Sequence, residues 1–189
     1  MSPAPVSVET LTADGVLAEA EALCEVLTAC VAGGASVGFL WPLSLDRARA
    51  FWERVAGDVA RRARRALVAR DSTGRIAGTV QLVLEHPENQ PHRADVAKLL
   101  VHPRVRKHGV GEALMKAAED AARDAGKTLL VLDTATPEAD RLYRRMGWQL
   151  CGRIPDYALL PDGLPCATTI FYKVMAAELG ASADRPSRA

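Results

Sequence analysis

Leu99-Leu-Val-His-Pro-Arg-Val-Arg106-Lys-His-Gly109-Val-Gly111-Glu-Ala-Leu-Met115 is the stretch on which the fold turns. Its apolar start, Leu99-Leu100-Val101, closes a strand that begins near Asp95. His102-Pro103 stops the strand, and a basic turn follows. From Val110 to Ala125 the pattern is that of an amphipathic helix, ended by Gly126. Two glycines spaced by one residue let the backbone curl so that successive N–H groups face one point. The helix start adds its own unpaired N–H groups and partial positive charge. Such a place binds a phosphate or pyrophosphate, and Arg106, Lys107 and His108 supply positive potential beside it. It is not a Walker loop, which needs Gly-x-x-x-x-Gly-Lys-Ser/Thr. Nor is it a dinucleotide fingerprint, because Leu114 stands where the third glycine belongs and the strand is a middle one.

Working outward, Thr128–Asp133 reads as a buried strand, so Asp95 to Asp133 is a strand–helix–strand unit with parallel strands. Thr136-Pro137-Glu138 opens a further helix, with a cap, a first-position proline and an early acid, and Gly147 ends it. Strands over 148–153 and 167–174 complete the C-terminal half, joined by a loop that holds Pro155, Pro161, Asp162-Gly163 and Pro165. On the N-terminal side, residues 5–10 predict a short strand. Thr12 or Asp14 caps a helix whose apolar positions run from Val16 to Val31 and which stops at Gly33-Gly34. The loop Ala35–Leu43 carries Phe39, Leu40 and Trp41, either plugged into the core or lining a substrate wall. Ser44 caps a second helix reaching about Arg65. Hairpin strands over 66–70 and 76–84 are joined by Asp71-Ser-Thr-Gly74, and Glu85–Arg93 is a loop. The order predicts one α/β domain over residues 1–175 with a mixed sheet, followed by a flexible tail over 176–189.

Composition narrows the function. A chain of 189 residues fits one domain with some to spare, at ~150 residues per domain. The formal charge of +1 gives no whole-protein field of the kind that draws nucleic acid or an acidic membrane. The run Arg61, Arg62, Arg64, Arg65 reads as a solvated helix end that suits the dipole. No apolar run approaches the ~20 residues of a membrane span, and the N-terminus has no basic n-region or apolar h-region, so the expected location is the cytoplasm. Cys24, Cys30, Cys151 and Cys166 form no C-x-x-C pair and read as small apolar side chains in a reducing compartment. The four histidines show no metal-ligand spacing, and no metal is expected.

Arg106-x-x-Gly109-x-Gly111 resembles the (Gln/Arg)-x-x-Gly-x-(Gly/Ala) loop of the GCN5-related N-acetyltransferase (GNAT) superfamily. Ala139-Asp-Arg-Leu-Tyr143-Arg-Arg-Met-Gly147-Trp148 resembles a second segment of that superfamily, Ala-x-x-(Leu/Phe)-Tyr-x-x-x-Gly-(Phe/Trp). More narrowly, Leu84 to Gly111 and Leu130-Val-Leu-Asp133-Thr134 look like the tabtoxin-resistance acetyltransferase group. The resemblance implies a mixed, mostly antiparallel central sheet with a splayed parallel strand pair, flanked by helices. It implies acetyl-CoA as cofactor. The loop Arg106, Lys107, His108, Gly109, Val110, Gly111 and Glu112 would hold its pyrophosphate, and Leu99, Leu100 and Val101 its pantetheine arm. A break of alternation at Leu99–Val101 suits a bulge that opens the strand pair.

The reaction implied is acetyl transfer to an amine by direct attack in a ternary complex. Tyr143 would be the general acid, a phenol that is protonated at neutral pH; alone, it also reads as a helix tyrosine half in the core. Asp133, at the carboxyl end of its strand, would be the base or would brace the next turn; Asp95 and Glu85 are the alternatives. The acceptor pocket is expected between Phe39–Leu43, Glu85–Arg93 and Ile154–Pro165, where Asp156, Tyr157 and Asp162 would suit a cationic amine. The expected acceptor is a small toxin, antibiotic or amino-acid-like molecule, which would give a role in resistance, with no nucleic-acid or membrane partner and a monomer or homodimer. A protein N-terminal or lysine acetyltransferase, and a non-enzymatic acyl-CoA-binding module, are the competing readings.

Overall fold

The computed structural model describes residues 6–175; the expected tail over 176–189 lies outside them. Seven strands form one sheet in the order β1-β2-β3-β4-β5-β7-β6. They are β1 (Ser7–Leu11), β2 (Arg64–Arg70), β3 (Ile76–Val83), β4 (Arg93–Val101), β5 (Leu129–Thr134), β6 (Gln149–Leu159) and β7 (Pro165–Val174). Every neighbouring pair is antiparallel except β4 and β5, which are parallel. The mixed sheet expected from the sequence is therefore present, with the parallel pair where the strand–helix–strand unit put it.

Helices α1 (Ala13–Ala18), α2 (Ala20–Ala32) and α3 (Leu45–Ala60) cover one face; α4 (Val110–Asp124) and α5 (Pro137–Arg145) pack on the other. The caps are those the sequence suggests. Thr12 Oγ1 accepts from the Gly15 N–H at 3.0 Å, Ser44 Oγ from Arg47 N–H at 3.3 Å and Thr136 Oγ1 from Ala139 N–H at 3.4 Å. Cores form on both faces: Trp52, Leu23 and Leu27 lie under α1–α3, and Leu114, Met115 and Phe171 under α4 and α5. Across the second core, buried Glu119 of α4 accepts from Trp148 Nε1 at 2.9 Å and pairs with Lys173 Nζ at 2.7 Å. Gly78 is where β3 meets β4 most tightly, since a Cβ there would lie 2.5 Å from the Leu100 carbonyl oxygen.

Three expectations are corrected. The first helix is two, broken at Glu19, which ends α1 and begins α2. The second expected helix stops at Ala60, and Arg62 turns the chain with φ 61°, so Arg64 and Arg65 belong to β2. Their side chains are also engaged rather than solvated: Arg64 pairs with Asp58 at 2.9 Å, and Arg65 donates to the Ala121 carbonyl at 2.7 Å. Finally, the loop expected after Arg153 is mostly strand. Pro155 lies inside β6, at an irregular register between Ile154 and Ala158 with Asp156 at φ 48°. β6 is the sheet edge, so the missing proline N–H breaks no ladder bond on the open side.

Candidate active site

The parallel pairing of β4 with β5 covers only Arg93↔Leu129, Ala94↔Leu130 and Asp95↔Val131. Beyond that the strands part, which leaves the β5-facing backbone of the rest of β4 without a strand partner. On its other side β4 bulges: Thr79 pairs with Leu100 and Gln81 with Ala97, so Lys98 and Leu99 together oppose Val80. The expected bulge thus lies one residue earlier than Leu99–Val101, and Lys98 takes φ 53°. The extra residue resets the alternation. Ala94 and Val96 face the α4 core, while Leu100 joins the core under α1–α3.

The opening between β4 and β5 leads into a cavity of about 460 Å³. Leu99, Leu100 and Val101 form its strand wall; Arg106, Lys107, Gly109, Val110, Gly111 and Glu112 form its loop wall. His108, expected among them, is exposed and does not line it. Gly109 holds φ 80° as the N-cap of α4, and a Cβ there would meet no atom within 4 Å, so the glycine faces open space. The first helical bond is Ala113 N–H to Gly109 carbonyl at 3.0 Å. Among the described residues, none of the backbone N–H groups of residues 107–112 has a protein acceptor. A helix terminus with free N–H groups around a glycine turn is a receptor for an anion.

Arg104 braces this loop rather than lining it. Its guanidinium bonds Asp71 of the β2–β3 turn and the Ile76 carbonyl, the latter at 2.8 Å. The Thr73 hydroxyl, and then Arg104, hold the Asp71 carboxyl far below the usual carboxylate range. Arg106 carries no ion pair among the described residues; its Nε donates to the Val101 carbonyl at 3.4 Å. The sequence reading missed other parts of the wall, among them Cys30, Gly33 and Gly34 at the end of α2, and Ala139, Leu142 and Arg145 of α5. The three-residue repeat of the α5 positions was the available signal. Of the cysteines, all free, Cys24 and Cys30 are buried, Cys166 is half-buried and Cys151 is exposed on β6, so the apolar reading fails at Cys151.

Neither Tyr143 nor Asp133 lines this cavity. The Tyr143 ring is buried, with its centroid 5.9 Å from that of Trp148 and 5.8 Å from that of Phe171. Burial, and then the Asp133 charge, push its phenol well above the usual tyrosine value. Asp133 is exposed at the parted end of β5, and its Oδ2 accepts from Thr168 Oγ1 at 2.8 Å. Asp95 lies at the paired end of β4, about 13 Å along the strand from Leu99 at ~3.3 Å per residue. One Asp95 oxygen takes a 3.4 Å contact from Arg93, and the other is buried without a partner. Glu85, just past β3, is tied to Arg61 on the surface.

A second cavity of about 390 Å³ abuts the bulge from the α3 side; Phe39, Arg47, Phe51, Arg54 and Lys98 line it. Of the expected acceptor walls only Phe39 contributes. The stretch 85–93 lies at the paired end of β4, where Thr128 N–H donates to the His92 carbonyl at 2.9 Å. The stretch 36–41 does meet the β6–β7 hairpin, through Trp41 N–H to the Pro161 carbonyl at 2.9 Å.

Among the described residues no group of three or more His, Cys, Asp or Glu could hold a metal, and no helix is long and apolar enough to cross a membrane. A profile of the acetyltransferase (GNAT) family matches residues 22–148. The fold is similar to a GNAT-superfamily phosphinothricin acetyltransferase from Sinorhizobium meliloti, solved in complex with acetyl-CoA. That match has a TM-score of 0.75 and 16% identity, over 96% of this chain and 93% of the other. It is similar to a GCN5-related N-acetyltransferase from Kribbella flavida, at 0.73 and 20%, over 90% and 98%. It is also similar to a ribosomal-protein-alanine N-acetyltransferase from Brucella melitensis, at 0.70 and 19%, over 89% and 99%. At such identities the likeness is one of fold.

Proposed function

The chain belongs to the acetyltransferase (GNAT) family, and from that membership we propose that it moves the acetyl group of acetyl-CoA to the amine of a small molecule by direct attack in a ternary complex. The observation that carries the cofactor is the run of free N–H groups over residues 107–112, opening on a cavity of about 460 Å³ beside the parted strands. These groups suit a pyrophosphate, with Arg106 adding charge. The β4 backbone over Leu99–Val101 has no strand partner on the β5 side, which suits the amides of a pantetheine arm. Glu112 is no obstacle at the mouth, because Lys116 at 2.7 Å and Arg145 at 3.7 Å draw its carboxylate. His108 stands off the wall, so its share in binding is its N–H alone.

Acetyl-CoA, when bound, supplies the acetyl group as an activated thioester. We assign Tyr143 as the proton donor to the departing thiolate. Its helix, α5, forms part of the cavity wall through Ala139 and Leu142, and its raised pKa keeps the phenol protonated at neutral pH. Asp133 is the base, taking a proton from the acceptor's ammonium directly or through water so that the neutral amine attacks; its exposed carboxylate stands at the parted end of β5, and Thr168 fixes one of its oxygens. Asp95 and Glu85 are less suited, as both lie toward the paired end of the strands.

A second cavity of about 390 Å³ favours a small acceptor over a protein chain. The resemblance of residues 84–111 to the tabtoxin-resistance group, and the phosphinothricin acetyltransferase of similar fold, support an amino-acid-like or toxin-like acceptor and a role in resistance. One protein preparation tests the whole reading. Acetyl-CoA should raise the melting temperature, since it binds the folded state alone, and small amines should release CoA thiol. Acetylation of peptides but of no small amine would favour a protein acetyltransferase. Binding without thiol release from any amine or peptide would favour a sensor.

A further inference from the structure

We infer that the acceptor amine carries an anionic group, a carboxylate or related oxyanion, and that Lys98 receives it. This deepens the acetyltransferase reading and rests on it.

Lys98 is placed with unusual care. It is the bulged residue of β4, held at φ 53°, a conformation that a non-glycine residue rarely takes. It lines the second cavity, while the next residue, Leu99, lines the first. One bulge therefore separates the two sites and puts the ammonium on the acceptor side. The side chain is half-buried, yet among the described residues Nζ has neither a hydrogen-bond acceptor nor a carboxylate partner. The other half-buried lysines are treated differently: Lys173 pairs with Glu119 at 2.7 Å, and Lys127 donates to the Leu84 and Pro91 carbonyls at 3.3 and 2.8 Å. A half-buried ammonium without a partner has lost part of its hydration for no local return, and an incoming anion restores it. Burial, then Arg64, push the Lys98 pKa down, and Asp133 pulls it up.

The rest of the cavity agrees. Arg47 and Arg54 stand two turns apart on α3, both without an ion pair among the described residues, and no acidic residue lines the cavity. Phe39 and Phe51, in edge contact at 5.4 Å between centroids, supply an apolar floor. Among the residues that line the cavity, a plain alkylammonium meets only like charge. An amine that also bears an acid is drawn in by its anion. The same positive surroundings favour the neutral form of its amine, which is the form that attacks. The acidic wall expected from Asp156 and Asp162 is thus replaced by a basic one.

The test measures CoA thiol release by the full chain from acetyl-CoA with L-amino acids and phosphinothricin, each beside its methyl ester. The free acids should be preferred, by about tenfold or more in kcat/KM. Lys98→Met should raise KM for the acids by about ten- to a hundredfold, leave the esters unchanged and keep acetyl-CoA affinity within about twofold. Lys98→Arg should retain most of the preference. Arg54→Gln, at an exposed position where folding is secure, should weaken the acids alone, by about two- to tenfold. Esters used as well as acids, equal losses for both in Lys98→Met, or acetyl-CoA binding with no acid acetylated would each overturn the proposal and leave the cofactor site standing. No binding of acetyl-CoA would instead overturn the acetyltransferase reading beneath it.

Discussion

The cleft behind Leu99 and the pocket around Lys98 share a strand but are assembled in opposite ways. The cleft takes its chemistry from one continuous run, residues 99–112, in which a strand, a turn and a helix start follow each other. The pocket takes its chemistry from three separate places: the loop at Phe39, the α3 face at Arg47 and Arg54, and the bulge at Lys98. The cleft works mainly through backbone N–H groups, which any sequence able to make the turn would present. The pocket works through side chains. A family can keep the first and change the second, so the cofactor reads more plainly than the acceptor.

The largest effect should come from filling the cradle. Gly109→Glu adds a side chain and a negative charge where φ is 80° and where open space now lies, and acetyl-CoA affinity should fall by about a hundredfold or more. Gly109→Ala is the control for backbone strain alone, at ~1–2 kcal/mol of stability. Titration calorimetry and melting curves of both separate the two effects. Unchanged affinity in Gly109→Glu would erase the contrast with the Lys98 pocket.

Gly78→Ala should damage cleft and pocket together, because its Cβ would press on the Leu100 carbonyl beneath the bulge that divides them. A loss of about 1–3 kcal/mol in stability is expected, with cofactor binding and turnover falling in step. A cleft that survives in that variant would mean the shared strand matters less than its flanking loop.

Tyr143→Phe removes one hydroxyl and little volume. Its kcat should drop by about ten- to a thousandfold with acetyl-CoA affinity nearly kept. Burial and Asp133 raise the Tyr143 pKa, so the wild-type phenol keeps its proton as pH rises, and no falling limb of kcat below about pH 9 comes from it. Wild-type turnover in the variant would return Tyr143 to a purely packing role against Trp148 and Phe171.

The smallest effect is expected at Asp133. Asp133→Asn keeps the shape but cannot take a proton, so activity should fall by about tenfold near pH 7 and recover partly toward pH 9, as alkali deprotonates the amine unaided. A pH–rate profile beside a melting curve checks this, with Asp95→Asn as comparison. Lost stability with an unshifted profile would make Asp133 a brace for Thr168.

The same contrast explains what the sequence disclosed. The strand–helix–strand unit, the caps at Thr12, Ser44 and Thr136, and the loop wall from Arg106 to Glu112 are local, set by residues within a few positions of one another. The misread elements depend on distant partners. Arg64 and Arg65 read as a helix end because their partners, Asp58 across the turn and the Ala121 carbonyl on α4, are invisible to periodicity. Pro155 reads as a loop because only the sheet order reveals that β6 is an edge. Lys98 carries no signal of its own in the sequence; the bulge that places it beside the cavity of Arg47 and Arg54 appears only in the pairing with β3.

Amide hydrogen exchange across residues 96–112, with and without acetyl-CoA, tests the central claim most directly. The N–H groups of residues 107–112, which have no protein acceptor among the described residues, should exchange fast in the free protein and become protected with the cofactor, together with amides of the β4 segment that β5 leaves unpaired. Unchanged exchange at 107–112 under saturating acetyl-CoA, with protection appearing elsewhere, would contradict it.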